Sequence, residues 1–142
     1  MAISARNVFI GTVSEVREGA VNAEVSLSVT GGDVIVATVT LDSLKALGLA
    51  VGKAVTAFVK APSVMVVTGD DTVCYSARNH LKGLVSELKT GAVNSEVVVK
   101  LAGGSEVKAI ITNDAVTDLG LAVGSAASAL FKAGSVILGV SA

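Results

Sequence analysis

The stretch Val21-Asn22-Ala23-Glu24-Val25-Ser26-Leu27-Ser28-Val29-Thr30-Gly31-Gly32 decides the fold. Val21, Ala23, Val25, Leu27 and Val29 alternate with Asn22, Glu24, Ser26, Ser28 and Thr30. That is the two-residue period of a strand with one apolar and one polar face. Gly31-Gly32 is a hairpin signal, because glycine reaches positive φ without a steric cost. Residues 34–40 read as the returning strand. Upstream, 7–16 reads as a strand that turns at Arg17-Glu18-Gly19. Downstream, the period changes over 42–47, which predicts a short helix with Asp42 as N-cap and Gly48 as its stop. Residues 53–60 form another strand, broken at Pro62 for want of an amide donor, and 64–67 a last one.

This pattern occurs twice. Ser4-Ala5-Arg6-Asn7 returns as Ser76-Ala77-Arg78-Asn79, at an offset of 72 residues. At the same offset Gly19-Ala20-Val21-Asn22 returns as Gly91-Ala92-Val93-Asn94, and Leu47-Gly48-Leu49-Ala50-Val51-Gly52 as Leu119-Gly120-Leu121-Ala122-Val123-Gly124. Lys60-Ala61-Pro62-Ser63-Val64 returns as Lys132-Ala133-Gly134-Ser135-Val136. Aligned without a gap, residues 1–68 and 73–140 share roughly 31 identities, and strings of four to six identical residues in one register mean duplication. The expectation is an all-β protein with one short helix per repeat, built as two tandem five-stranded barrels of the oligonucleotide/oligosaccharide-binding (OB) type, residues 1–69 and 73–142. A small sandwich is the alternative. The junction Thr68-Gly69-Asp70-Asp71-Thr72 is too short for a free linker, so the units should pack against each other.

Each unit, at about 70 residues, is near the lower limit for an independent core. A single cysteine, Cys74, rules out an intrachain disulfide, so association is the expected support. Apolar residues make up 51% of the chain, but every apolar run is interrupted well short of a membrane span. The net charge of −1 argues against a nucleic-acid surface. Phe9, Phe58, Phe131 and Tyr75 are the only aromatics, too few for a base-stacking platform. The N-terminal residues read as no secretory signal, which makes a cytoplasmic location the default.

Enzyme chemistry has little to work with. The one histidine, His80, has Val8 as its counterpart in the first repeat, and Cys74 has Ala2. No Cys or His spacing suggests zinc, and no phosphate-binding glycine loop is present. Glu15, Glu87, Glu24 and Glu96 recur, but each alternates with apolar residues along a strand and reads as solvated or cross-strand paired. What recurs otherwise is a set of donors and cations. Ser4, Arg6, Asn7, Lys60 and Ser63, with Ser76, Arg78, Asn79, Lys132 and Ser135, suit a small oxyanion; the plainer alternatives are a polar strand entry with a solvated arginine and an edge-strand lysine that guards against aggregation. Gly-Ala-Val-Asn reads first as a structural turn at the start of a strand, and the alternative is that its backbone amides add to such a site.

Taken in this order, the motifs resemble the molbindin family, built from Mop domains of the transport-associated (TOBE) class. The resemblance covers nearly the whole chain, twice. It implies barrels that bind molybdate or tungstate as an intact tetrahedral dianion, with no catalytic cofactor and no bare metal cation. It implies a homotrimer of two-domain chains, with sites at domain and subunit interfaces, and cytoplasmic molybdenum storage or homeostasis without enzymatic activity. One implied class of site matches Ser4, Ala5, Arg6, Asn7, Lys60, Ala61 and Ser63, and in the second repeat Ser76, Ala77, Arg78, Asn79, Lys132, Ala133 and Ser135. A second class, near the symmetry axis, matches Gly19, Ala20, Val21, Asn22, Gly91, Ala92, Val93 and Asn94. Ala23 against Ser95 and Pro62 against Gly134 distinguish the two copies. The alternative role is an oxyanion-sensing regulatory module acting on a transporter or transcription factor. The lack of an attached DNA- or nucleotide-binding domain in this chain favours the free-standing store.

Overall fold

The alternating stretch becomes β2 (Asn22–Val29), with Ala23, Val25, Leu27 and Val29 all buried. In the computed structural model, which describes residues 2–69 and 72–142, it lies between β1 (Asn7–Glu18) and β3 (Val34–Thr40), antiparallel to both. Met1 and the junction acids Asp70 and Asp71 lie outside the described residues. The chain continues through α1 (Leu41–Ala46), β4 (Ala54–Val59), a 3-10 turn (Ala61–Ser63) and β5 (Met65–Val67). The second repeat reproduces this order as β6 (Asn79–Thr90), β7 (Asn94–Leu101), β8 (Glu106–Thr112), α2 (Asn113–Asp118), β9 (Ala126–Phe131), a 3-10 turn (Ala133–Ser135) and β10 (Ile137–Gly139).

Strands β1 and β6 are long enough to pair on both edges. Each carries a bulge, at Val13/Glu15 and at Val85/Glu87, where register shifts against β2 or β7. An extra residue there increases local twist and helps the sheet curl. The helix differs from expectation at its start. Thr40, not Asp42, is the N-cap: its hydroxyl accepts from the Ser43 N–H at 3.1 Å. The reason is that β3 runs in extended geometry to Thr40 itself, so the helix opens at Leu41 and Asp42 falls in the first turn, where its charge suits the helix dipole. Gly48 does end the helix, at φ +62°, with Gly48 N–H donating to Lys45 O and Leu49 N–H to Leu44 O. This double bond pattern satisfies the last carbonyls and needs a left-handed residue.

The two five-stranded sheets have the orders β10-β4-β1-β2-β3 and β5-β9-β6-β7-β8. The last strand of each repeat has crossed over. β5 pairs with β9 (Met65 opposite Leu130), and β10 pairs with β4 (Ile137 opposite Phe58). Each sequence unit therefore gives four strands to one sheet and one to the other. The edges of each sheet come back into contact, β10 against β3 and β5 against β8, giving two OB-like barrels in tandem. A single contiguous apolar core runs through both, from Val13, Val25 and Ile35 to Val85, Val97 and Phe131. No helix among the described residues is long and apolar enough to cross a membrane.

The repeats also meet through polar joints. The Asn7 amide donates to Lys108 O at 2.8 Å and accepts from Lys108 N–H at 2.7 Å. Asn79 does the same to Val36, both bonds at 2.8 Å and both buried. Each side chain thus behaves as an added strand residue on the edge of the other repeat's sheet. At the far side the two hairpin turns touch, with the Ser105 hydroxyl donating to Thr30 O at 2.9 Å.

Candidate functional site

Asn7 pairs with Val59 in the β1–β4 ladder, so Lys60 and the 3-10 turn begin beside the Ser4–Asn7 motif. Both stand against β8 of the other sheet, where Asn7 grips Lys108. In the second repeat Asn79 pairs with Phe131, which places Ser76, Ala77 and Arg78 beside Lys132, Ala133 and Ser135, against β3. The fold thus brings the two predicted motifs of each repeat together, twice. Ser63 N–H donates to Lys60 O, and Ser135 N–H to Lys132 O, which fixes both 3-10 turns with Ala61 and Ala133 buried beneath them.

The members of this cluster are not equally available. Asn7 and Asn79 are buried, and their amides are committed to backbone groups. Lys60 and Lys132 are exposed and have no ion-pair partner among the described residues. Ser4, Ser63 and Ser76 are exposed, Ser135 is half-buried, and none of these hydroxyls bonds to protein among the described residues. Arg6 donates to Glu96 at 2.6 Å, and Arg78 pairs with Glu24 at 2.9 Å. The expected cross-strand pairing of these glutamates is present, Glu24 with Arg17 at 3.9 Å and Glu96 with Lys89 at 4.0 Å, but the closer partners come from the other repeat, and Glu96 is not solvated. Glu96 is buried, and each glutamate holds the arginine of the opposite repeat, because the polar face of β2 and β7 is covered by that repeat.

The 19–22 turn lies at the other end of β1 from Lys60, so the two predicted classes of site are separate within one repeat. Between repeats they approach. A hollow of about 350 Å³ is lined by Gly19, Asn22, Glu24, Thr38 and Arg17, and by Arg78 from the second repeat. A neighbouring hollow of about 280 Å³ places Thr38, Thr40 and Ser43 opposite Gly134 of the second 3-10 turn. These hydroxyls were missed in the sequence. The signal was present, as three hydroxyl residues within six positions at the end of a strand, but nothing local showed that the other repeat's turn faces them.

Chemically, the cluster offers exposed cations and hydroxyl donors, groups that suit an anion. Among the described residues no group of three or more His, Cys, Asp or Glu could hold a metal ion. Cys74 is exposed and free. Phe9, Phe58 and Phe131 are buried, leaving Tyr75, edge-on to His80, as the exposed aromatic.

Comparison with known proteins identifies the fold and the family. The TOBE domain matches residues 3–66 and again 75–138. A solved structure of the cytoplasmic molybdate-binding protein ModG, with molybdate bound, is 54% identical and superposes with a TM-score of 0.94 over 99% of this chain and 100% of that one. The molybdenum-pterin-binding protein MopA of Rhodobacter capsulatus is 44% identical over 97% of this chain, and the molybdenum transport protein ModE of Herbaspirillum seropedicae 41% identical over 99%. The chain spans about half the length of these two, 52% of each. With the domain matched twice and the chain folded as two five-stranded barrels, the chain belongs to the TOBE-domain family, as a tandem pair of the Mop type.

Proposed function

We propose that this protein binds molybdate, and tungstate equally by shape, as an intact tetrahedral dianion, and that it serves as a non-catalytic cytoplasmic molybdenum store. The carrying observation is the constellation of an exposed lysine, unbonded serine hydroxyls and an arginine, repeated at two matched places, with no metal-ligating cluster among the described residues. The likeness to molybdate-bound ModG over the whole of both chains supports the choice of anion. Lys60 and Lys132 offset the dianion's charge at long range, while Ser4, Ser63, Ser76 and Ser135 direct hydrogen bonds at its oxygens. Arg6 and Arg78 contribute charge-assisted bonds once they turn from their glutamates. In this reading the sites are completed by a second chain in a homotrimer. The exposed apolar residues Ile10, Val21, Leu84 and Val93 fit such burial. A ligand bridging two chains stabilises the assembly by mass action.

Equilibrium dialysis with molybdate, with sulfate as competitor, tests this. Retention at micromolar molybdate, weakened about tenfold or more by Arg6→Ala or Arg78→Ala without loss of fold, is expected from charge-assisted bonds of roughly 1.5–3 kcal/mol. No retention would sink the reading. A second reading, a sensing module within a regulator, is favoured by one observation: the relatives named ModE extend well beyond the part this chain matches.

A further inference from the structure

The turns that follow β1 and β6 share the sequence Gly-Ala-Val-Asn and the same closure. Gly19 N–H donates to Asn22 O at 2.8 Å, and Gly91 N–H to Asn94 O at 2.9 Å. The N–H groups of Ala20, Val21, Ala92 and Val93 meet no backbone acceptor among the described residues. In both repeats the first helical residue bonds the turn, Leu41 N–H to Val21 O and Asn113 N–H to Val93 O.

Side chains break this symmetry. Asn113 Nδ2 donates to Gly91 O at 2.9 Å, and its Oδ1 accepts from the hydroxyl of Ser95, which is 2% exposed. A polar chain therefore ties the 91–94 turn to β7 and to the start of α2. Around the 19–22 turn the corresponding residues are Ala23, which has no polar side-chain atom, and Leu41, which packs against the apolar core. Backbone amides bind an anion well only when the turn holds them in one arrangement, so a turn ordered in advance loses less freedom on binding.

We propose that the two turns are unequal dianion sites and fill in order, the 91–94 turn first and the 19–22 turn second, with Asn113 and Ser95 as positioning residues. The inference rests on the proposed anion-binding function and on the second class of site that the family resemblance implies, in which both turns bind the anion. One or two ordering hydrogen bonds set a gap of about three- to tenfold in affinity. Arg17 against Lys89 is a rival source of difference, since each lies near the glutamate beside its turn, and exchange variants separate the two.

The experiment is a molybdate titration of the 15N-labelled full chain, following the amide signals of Ala20 and Val21 apart from those of Ala92 and Val93. The expected result is that the second pair saturates at three- to tenfold lower molybdate. Ser95→Ala with Asn113→Leu should bring it to the midpoint of the first pair. Ala23→Ser with Leu41→Asn should move the first pair to tighter binding, a gain that structural damage does not produce. Should that variant fail to fold, the Ser95→Ala/Asn113→Leu protein decides. Equal midpoints in the unaltered protein, or a gap that survives the exchange, would overturn the ordering while leaving both turns as sites. Amides that stay still while dialysis shows molybdate retained would remove the turns from the binding reading, and this inference with them.

Discussion

In the first repeat Asn7 reaches across to Lys108; in the second, Asn79 reaches back to Val36. The two joints have the same geometry and different surroundings. Asn79 and both groups it bonds are buried, whereas the Asn7 joint is partly open. The repeats are identical where each must grip the other, at Arg6 and Arg78, Asn7 and Asn79, Glu24 and Glu96. They differ at Leu41 and Asn113, which serve the turn of their own copy, and at the hairpin contact, where Ser105 and Thr30 have Asp33 and Ala102 as counterparts. Internal identity in this chain marks the joint between barrels as much as any ligand.

The difference between the joints is open to direct measurement. Asn79→Ala leaves the Val36 N–H and C=O unpaired and out of reach of water, a loss of about 3 kcal/mol or more, at roughly 1–3 kcal/mol for each buried group. Asn7→Ala should cost less, about 1–2 kcal/mol, because water can reach Lys108. Urea midpoints of the two variants should fall in that order. Equal losses would mean that burial does not set the strength of the joint.

The contact between hairpins offers a second asymmetric pair. Gly31 has φ +91°, and a Cβ there would lie 1.9 Å from Gly103 O, a backbone atom. Gly32, at φ +93°, has open space around it. Gly32→Ala should therefore show the conformational cost alone, roughly 1 kcal/mol, and Gly31→Ala that cost plus separation of the two turns, about 2 kcal/mol or more. Thermal melts that rank the two the other way would show that the hairpins part without cost.

Much of this fold was legible. The two-residue period at 21–30 placed β2, the glycine pair placed the hairpin, and the offset of 72 residues placed the second barrel. The exchange of β5 and β10 was not. Met65-Val66-Val67 and Ile137-Leu138-Gly139 are both short and apolar, and because the repeats are alike, β4 and β9 offer them nearly the same edge. Only the path of the connection distinguishes the partners, and no local pattern records it. Of the candidate site, the neighbourhood of Ser4–Asn7 and Lys60–Ser63 follows from strand pairing. The Arg6–Glu96 and Arg78–Glu24 pairs do not, since periodicity assigns Glu24 to a polar face without saying what covers that face.

The smallest effect concerns Pro62 and Gly134, which occupy the same place in the two 3-10 turns. Gly134 does not adopt a positive φ, a Cβ added to it meets nothing within 4 Å, and its N–H bonds to no backbone acceptor among the described residues. Proline at the matching position shows that the turn accepts a fixed φ. Gly134→Pro should then stabilise the fold by about 0.5 kcal/mol by restricting the unfolded chain, and Pro62→Gly should cost a similar amount. If Gly134→Pro instead destabilised the protein, the second turn would differ in backbone from the first. The Lys60 and Lys132 clusters could not then be treated as equivalent. If it stabilised the protein while leaving molybdate affinity unchanged, the lysine and serine beside the turn would hold the anion without help from the freedom of glycine.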